Sequence, residues 1–159
     1  MANDLVITFS IEGETQLLRR LEGVSQDLKD WTPQFTKIGK LLLKTFKDNF
    51  NSEGQALGEP WAPLKASTLK EKARLGYPSD ILVRTGTMKK SFISSPSQFE
   101  VVISNPTPYF VYHQSRRPRQ HLPRRVLMKI DDRRKQEIIK IIQSSVQNVL
   151  QKRQFNVAR

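Results

Sequence analysis

The chain has 159 residues, which is enough to bury a hydrophobic core as one domain without metal or disulfide crosslinks. It contains no cysteine, which excludes disulfide frameworks and thiolate zinc sites. The N-terminal residues lack the basic leader and apolar core of a signal peptide, and no apolar run approaches the ~20 residues that span a bilayer. We therefore expect a soluble protein of a reducing compartment, without contact to a membrane.

Positive charge is concentrated in the second part of the sequence. The net charge is +12, but residues 1–60 carry 7 basic and 9 acidic side chains, whereas residues 61–159 carry 20 and 6. This asymmetry predicts a basic face that meets an anionic partner, such as nucleic acid, an acidic protein surface or a lipid headgroup. Exposed lysines that only keep the protein in solution are the alternative interpretation.

Hydrophobic periodicity predicts one strand and two helices in the first third of the chain. Apolar and polar residues alternate over 4–11, which is typical of a half-buried strand. Apolar residues then recur every three or four positions, which predicts helices at about 14–30 and 33–51. Residues 51–63 are rich in Gly and Pro and predict a loop, in which we expect Trp61 to anchor the loop to the core.

A short helix and a turn are predicted next. Thr68 and Glu71 have the spacing of a capping box, which predicts a helix at about 68–75 that ends at Gly76. We expect its lysines and arginine to form a solvated face. Residues 84–86 (Arg-Thr-Gly) predict a turn.

A β-hairpin is the next predicted element. Residues 89–95 fit either a helical turn or a strand. Phe99, Val101 and Ile103 alternate with polar or smaller residues and predict a strand with these three side chains on one face. With residues 89–95 this strand predicts a hairpin that turns near Pro96.

The remaining elements complete an α+β prediction. Residues 127–130 are compatible with another strand, and Asp131 and Asp132 are predicted to cap a final amphipathic helix. We expect one domain over 1–153, in which a small antiparallel sheet packs against amphipathic helices, with a long basic loop and a C-terminal helix. Residues 154–159 are expected to be a frayed tail.

Residues that could support catalysis or metal binding are sparse. His113 and His121 lie eight residues apart in a stretch broken by prolines, and Asp131 and Asp132 are better explained as helix caps. The sequence contains no GxSxG, P-loop or GxGxxG motif. We therefore expect no enzyme, no cofactor and no metal, and a small His-Asp nuclease is the weakest of the hypotheses.

The strongest functional signal is a basic loop. Residues 113–135 contain nine basic and two acidic side chains, a net charge of +7. The planar donor fork of arginine suits phosphates and carboxylates, and interleaved prolines favour an extended chain from which side chains project. A solvated loop without a partner is the alternative. The residues predicted to contact DNA or a partner protein are Arg116, Arg117, Arg119, Arg124 and Arg125.

Several motifs occur in an order that resembles a known family. They are Trp61-Ala-Pro-Leu64 after a Gly-rich loop, Leu82-Val-Arg-Thr-Gly86-Thr-Met-Lys-Lys-Ser91, Tyr109-Phe-Val-Tyr112-His113-Gln114, and Leu122-Pro-Arg-Arg125 before a closing amphipathic helix. In this order and spacing the chain resembles the phage virion morphogenesis family, also called tail completion proteins. The resemblance covers about residues 35–150 and depends on the combination of motifs, because no single motif is specific.

The resemblance implies a non-enzymatic protein that acts late in virion assembly. Such proteins work at the neck, where the finished tail meets the DNA-filled head and where related proteins form rings around the DNA channel. The implied partners are neck proteins, namely the tail terminator and the head-tail connector. A homo-oligomeric ring is expected in the assembled particle, whereas the isolated subunit can be a monomer.

The resemblance also implies a location and a set of residues. We expect assembly in the host cytoplasm and a final place in the neck or tail of the virion. The competing hypothesis is a stand-alone nucleic-acid-binding protein without sequence specificity, which would bind duplex DNA as a monomer with steep salt dependence. Residues expected to define the fold or a subunit interface are Trp61, Arg84, Gly86, Tyr109, Tyr112, His113 and Gln114.

Overall fold

A computed structural model describes residues 28–115 and 122–157, with side chains up to 151. The predicted strand at 4–11, all but the last residues of the predicted helix at 14–30, and Arg116, Arg117, Arg119 and His121 lie outside these ranges. The described elements are α1 (Thr32–Asn51), a 3₁₀ turn (Gln55–Leu57), α2 (Ala66–Arg74), α3 (Thr87–Lys90), β1 (Ile93–Pro96), β2 (Val101–Ser104), α4 (Phe110–Gln114) and α5 (Asp132–Val157). The α+β prediction is confirmed, because a two-stranded antiparallel sheet packs against helices.

Helix α1 forms the centre of the core, as its periodicity predicted. Its buried face carries large apolar side chains at three- and four-residue steps, and each contributes roughly 1.5–3 kcal/mol by burial. Gly39 lies where α1 crosses the sheet, and a Cβ at this position would come within 2.1 Å of the Ser94 Oγ atom. A glycine therefore allows the close approach of helix and sheet. The buried apolar residues of α1 are Phe35, Ile38, Leu42, Phe46 and Phe50.

The predicted hairpin is confirmed, with one correction. All four residues of β1 pair with the four residues of β2, and Val101 and Ile103 are fully buried. Phe99 was expected on the same buried face, but this prediction is wrong because Phe99 is 64% exposed. The strand begins only at Val101, and a hydrogen bond from Ser97 N–H to the Glu100 carbonyl, at 2.8 Å, closes the connecting loop that contains Phe99.

Helix α2 exists, but its capping and its charges differ from the prediction. The helix begins two residues before Thr68, its N-cap is Lys65, and no side chain caps it, so the predicted capping box is wrong. Lys72 was expected on a solvated face. Instead its Nζ atom donates hydrogen bonds to the carbonyls of Asp80 (2.6 Å) and Val83 (2.8 Å), which ties α2 to the following loop.

The final helix begins as predicted. Asp131 accepts a hydrogen bond from the Arg134 N–H at 2.9 Å and so caps α5, which packs one apolar face against the core. The helix continues to Val157, past the residue at which fraying was expected. The strand predicted at 127–130 is wrong, because these residues pair with no strand within the part of the chain that the structure describes.

The loop after α1 folds around Gly54 and Trp61. The Trp61 ring is 6% exposed and packs edge-on against Phe50 with ring centroids 5.2 Å apart, which confirms that it anchors the loop. Gly54 has a φ of 95°, and a Cβ at this position would lie 2.2 Å from the Glu59 carbonyl oxygen and 2.5 Å from Trp61 Cδ1. Only glycine fits this turn without displacing the backbone.

We expect Gly54→Ala to destabilise the fold by about 2–4 kcal/mol, because it adds an overpacking cost to the cost of a positive φ. Gly58→Ala is the matched control, since Gly58 also has a positive φ of 69° but would place its Cβ in open space. This control should cost only about 1–2 kcal/mol. Denaturant unfolding of both variants checks the difference, and equal losses would contradict the steric role of Gly54.

Candidate functional site

A buried segment connects the basic loop to α5. We call residues 125–128 the buried connector, since all four are at most 5% exposed. The carbonyl of Val126 accepts two hydrogen bonds, from Asn49 Nδ2 on α1 and from Trp61 Nε1, each at 3.0 Å. A buried carbonyl without a partner would cost about 1–3 kcal/mol, so these two side chains fix the path of the connector.

Gln114, at the end of α4, binds the connector from the other side. Its Oε1 atom accepts hydrogen bonds from the N–H groups of Leu127 (2.7 Å) and Met128 (3.1 Å), and its Nε2 atom donates to the Met128 carbonyl at 2.7 Å. One amide side chain thus satisfies three backbone groups that a neighbouring strand would otherwise satisfy. This explains how the connector is buried although it pairs with no strand among the described residues.

Arg125 begins the connector and does not project as the sequence predicted. Its side chain is 5% exposed, its Nη2 atom donates to the Ala62 carbonyl at 2.9 Å, and its backbone N–H donates to the His113 carbonyl at 3.0 Å. Burial lowers the pKa of the Arg125 guanidinium, and the nearby Glu53 carboxylate partly opposes this effect. The prediction that Arg125 projects from the loop is therefore wrong.

Arg124 remains accessible at the end of the basic loop. Its side chain is 42% exposed and lies 3.8 Å from the Glu59 carboxylate, which also accepts a hydrogen bond from Lys129 Nζ at 2.6 Å. An exposed ion pair of this kind contributes only about 0–1 kcal/mol, so Arg124 can exchange it for a partner at little cost. The other three loop arginines lie outside the described residues.

Helix α4 carries aromatic side chains with two different roles. Phe110 is fully buried and packs edge-on against Phe92, with ring centroids 5.8 Å apart. Tyr109 and Tyr112 are 42% and 43% exposed, which leaves much of their surface outside the core. Because the buried ring fixes the orientation of a helix of only five residues, it also fixes where the tyrosines stand.

Arg84 and Gly86 lie beside one another in the turn that leads into α3. Gly86 is the N-cap of α3 with a φ of 78°. The Arg84 guanidinium carbon lies 4.6 Å from the centre of the Tyr77 ring, a cation–π contact that holds an exposed arginine in place. Arg84 lines a groove together with Tyr109 and His113.

This groove, of about 370 Å³, lies between α2, the loop before α3 and the base of the basic loop. We call it the cationic groove because none of the described residues that line it is acidic. Burial lowers the pKa of the Lys72 ammonium there, while Asp80 and Glu53 oppose the shift. Its charged lining residues are Lys65, Lys72, Arg84 and Arg125, with His113 beside them.

Sequence reasoning missed two members of the groove. Lys65 and Lys72 were not among the candidate residues, and Lys72 was assigned to a solvated face. The sequence does contain a signal for them, because Lys65 and Lys72 are seven residues apart and residues at this spacing lie on the same side of a helix. That signal predicts a shared face but not the groove, which also needs the loop that carries Arg84.

The described residues give no sign of a metal site or of a membrane span. None of their His, Asp and Glu side chains form a group of three or more that could hold a metal ion. Within the same residues, no helix combines the length and the apolar character needed to cross a bilayer.

Comparison with known proteins identifies the family. The sequence model of the phage virion morphogenesis family matches residues 13–147, which is most of the chain. No curated protein and no solved structure matched. The chain therefore belongs to the phage virion morphogenesis family, which confirms the resemblance inferred from its motifs, and its role is in the assembly of phage virions.

We expect Gln114→Ala to destabilise the protein by about 2–4 kcal/mol, because it leaves buried backbone groups of Leu127 and Met128 without partners. Gln136→Ala is the control, since Gln136 is an exposed residue of α5 and its loss should change stability by less than about 0.5 kcal/mol. Thermal or denaturant unfolding measures both. A Gln114→Ala protein as stable as the control would contradict the role of Gln114 in holding the connector.

Proposed function

We propose that this protein acts in tail completion and head–tail joining, as a structural component of the phage neck. Its membership of the phage virion morphogenesis family supports this proposal. In the proposed role the protein has no catalytic activity and works by protein–protein contacts around the DNA channel. It assembles in the host cytoplasm and becomes part of the neck or tail of the virion.

The observation that carries the proposal is the way the core holds both ends of the basic loop. Gln114 and Arg125 flank the loop in the sequence, and the side chains of both residues are hydrogen-bonded to the core. A hydrogen bond from the Arg125 N–H to the His113 carbonyl closes the base of the loop. Ten residues between the two anchors contain four arginines and no acidic side chain.

A loop of this kind suits assembly by charge complementarity. Arginines steer an acidic partner into place and then form paired hydrogen bonds with its carboxylates. We propose that the loop contacts neighbouring subunits of a homo-oligomeric ring, the tail terminator or the head–tail connector, and that it can also reach DNA phosphates in the channel. The ring forms on the growing particle, so the isolated subunit can remain a monomer.

Replacing the three loop arginines that precede Pro123 tests the proposal. In a phage whose own gene for this protein is deleted, Arg116→Ala, Arg117→Ala and Arg119→Ala together should yield unjoined heads and tails and few infectious particles. Electron microscopy and plaque titre measure the outcome. We exclude Arg125 from the variant because its burial would mix a folding defect with the functional one.

The matched control removes the same amount of charge from exposed positions elsewhere, with Lys70→Ala, Arg133→Ala and Lys140→Ala. It should restore joined, infectious particles. Normal particles from the loop variant, or equal losses in both variants, would contradict the proposed role of the loop.

The density of arginines also favours the competing function, a stand-alone nucleic-acid-binding protein. That hypothesis predicts micromolar or tighter binding of a DNA duplex by the isolated protein. If the four loop arginines each contact a phosphate, the logarithm of the binding constant should fall with the logarithm of salt concentration with a slope of about −3.6. Our proposal predicts no discrete complex with duplex DNA at physiological salt, which fluorescence anisotropy would measure.

A further inference from the structure

The cationic groove has the features of a binding site separate from the basic loop. Two exposed cations stand at its edge, Lys65 at the start of α2 and Arg84 in the turn before α3. Two further cations, Lys72 and Arg125, are partly or largely withdrawn from solvent. None of the described lining residues is acidic, although the Glu53 carboxylate lies near enough to act on both Lys72 and Arg125. The described lining of the groove is therefore positively charged.

Arg125 supplies a donor that this chain does not use. Its side chain is 5% exposed and borders the groove, and its Nη2 atom is satisfied by the Ala62 carbonyl. Its Nε atom is buried and has no hydrogen-bond partner among the described residues. A buried donor without a partner is costly, and the guanidinium adds its positive charge to that of the other cations that line the groove.

Part of the groove wall is apolar, which favours a ligand that carries apolar groups. Leu64, Leu82 and Val83 line it and are only partly buried against the core. Leu82 has a positive φ of 59°, a conformation that few non-glycine residues adopt, and it stands next to Val83 in this wall. A ligand that fills the groove therefore presents aliphatic groups beside its negative charges.

We propose that the cationic groove binds an acidic peptide segment of another virion protein, in which Asp or Glu side chains stand beside aliphatic ones. Duplex DNA fits less well, because its phosphates lie on a stiff cylinder and cannot reach a guanidinium that is 5% exposed. A carboxylate on a flexible side chain can enter the groove and approach Arg125. The proposal builds on the assembly role proposed above, since that role supplies the class of partner.

The first experiment measures binding of a defined probe to the full chain. The probe is a short fluorescein-labelled peptide in which glutamate alternates with leucine and valine, and the control peptide carries glutamine in place of glutamate. We expect the acidic peptide to bind and to shift the amide NMR signals of α2 and of residues 82–84, and the neutral peptide to bind at least about tenfold more weakly. Signals that move elsewhere, or equal binding of both peptides, would overturn the proposal.

Variants of the exposed groove residues test the site without disturbing the core. Lys65→Gln with Arg84→Gln should weaken binding of the acidic peptide about tenfold or more, because both residues are exposed and line the groove. Lys70→Gln with Lys140→Gln removes the same charge at exposed positions outside it and should leave binding unchanged. Equal weakening by the two pairs would show a general charge effect and would overturn the proposal.

Two further results separate this proposal from the proposed function. If the acidic peptide fails to bind while the loop-arginine variant still blocks head–tail joining, the groove proposal fails and the assembly role stands. If the peptide binds in the groove while the loop variant assembles normally, the groove stands and the loop mechanism fails. A DNA duplex that shifts the same signals as the peptide and competes with it would overturn the choice of a protein ligand.

Discussion

The backbone carbonyl of Val126 is the point on which the architecture depends. It is buried, and it accepts hydrogen bonds from the Asn49 amide near the C-terminal end of α1 and from the indole N–H of Trp61. Three segments that are distant in sequence therefore meet at one oxygen atom. Gln114 adds three hydrogen bonds to the next two residues, so the connector is fixed without any strand pairing.

This arrangement separates the residues that build the domain from those available to partners. Trp61 and Gln114 use their side-chain polar atoms to hydrogen-bond this chain's own backbone, whereas Arg124 keeps a large exposed fraction and only a weak ion pair. Proteins commonly carry their binding residues on a loop that a rigid scaffold holds in place. The cationic groove lies at the same base, so one scaffold supports two candidate contact surfaces.

The spacing of apolar residues predicted much of the fold, because the side chains that share one face of a helix or strand are close in sequence. Period-3.6 stripes identified α1 and α5, and alternation identified β2, since burial of one face dictates those spacings. The strand predicted at 127–130 was wrong because the side chains of Asn49, Trp61 and Gln114, not a neighbouring strand, satisfy the backbone there. The burial of Arg125 was not predicted because Arg124 and Arg125 are the same residue type in the same stretch of sequence. Only the tertiary position of the Ala62 carbonyl, which accepts a hydrogen bond from Arg125, distinguishes the buried arginine from the exposed one.

Sedimentation with isolated tails tests most directly whether this protein acts by binding other virion proteins. Tails would be purified from a phage lacking the gene, mixed with the full chain at physiological salt, and pelleted with and without excess duplex DNA. We predict saturable binding that the DNA does not displace, followed by joining of the treated tails to filled heads. Protein that stays in solution with tails and instead binds the duplex would contradict the account.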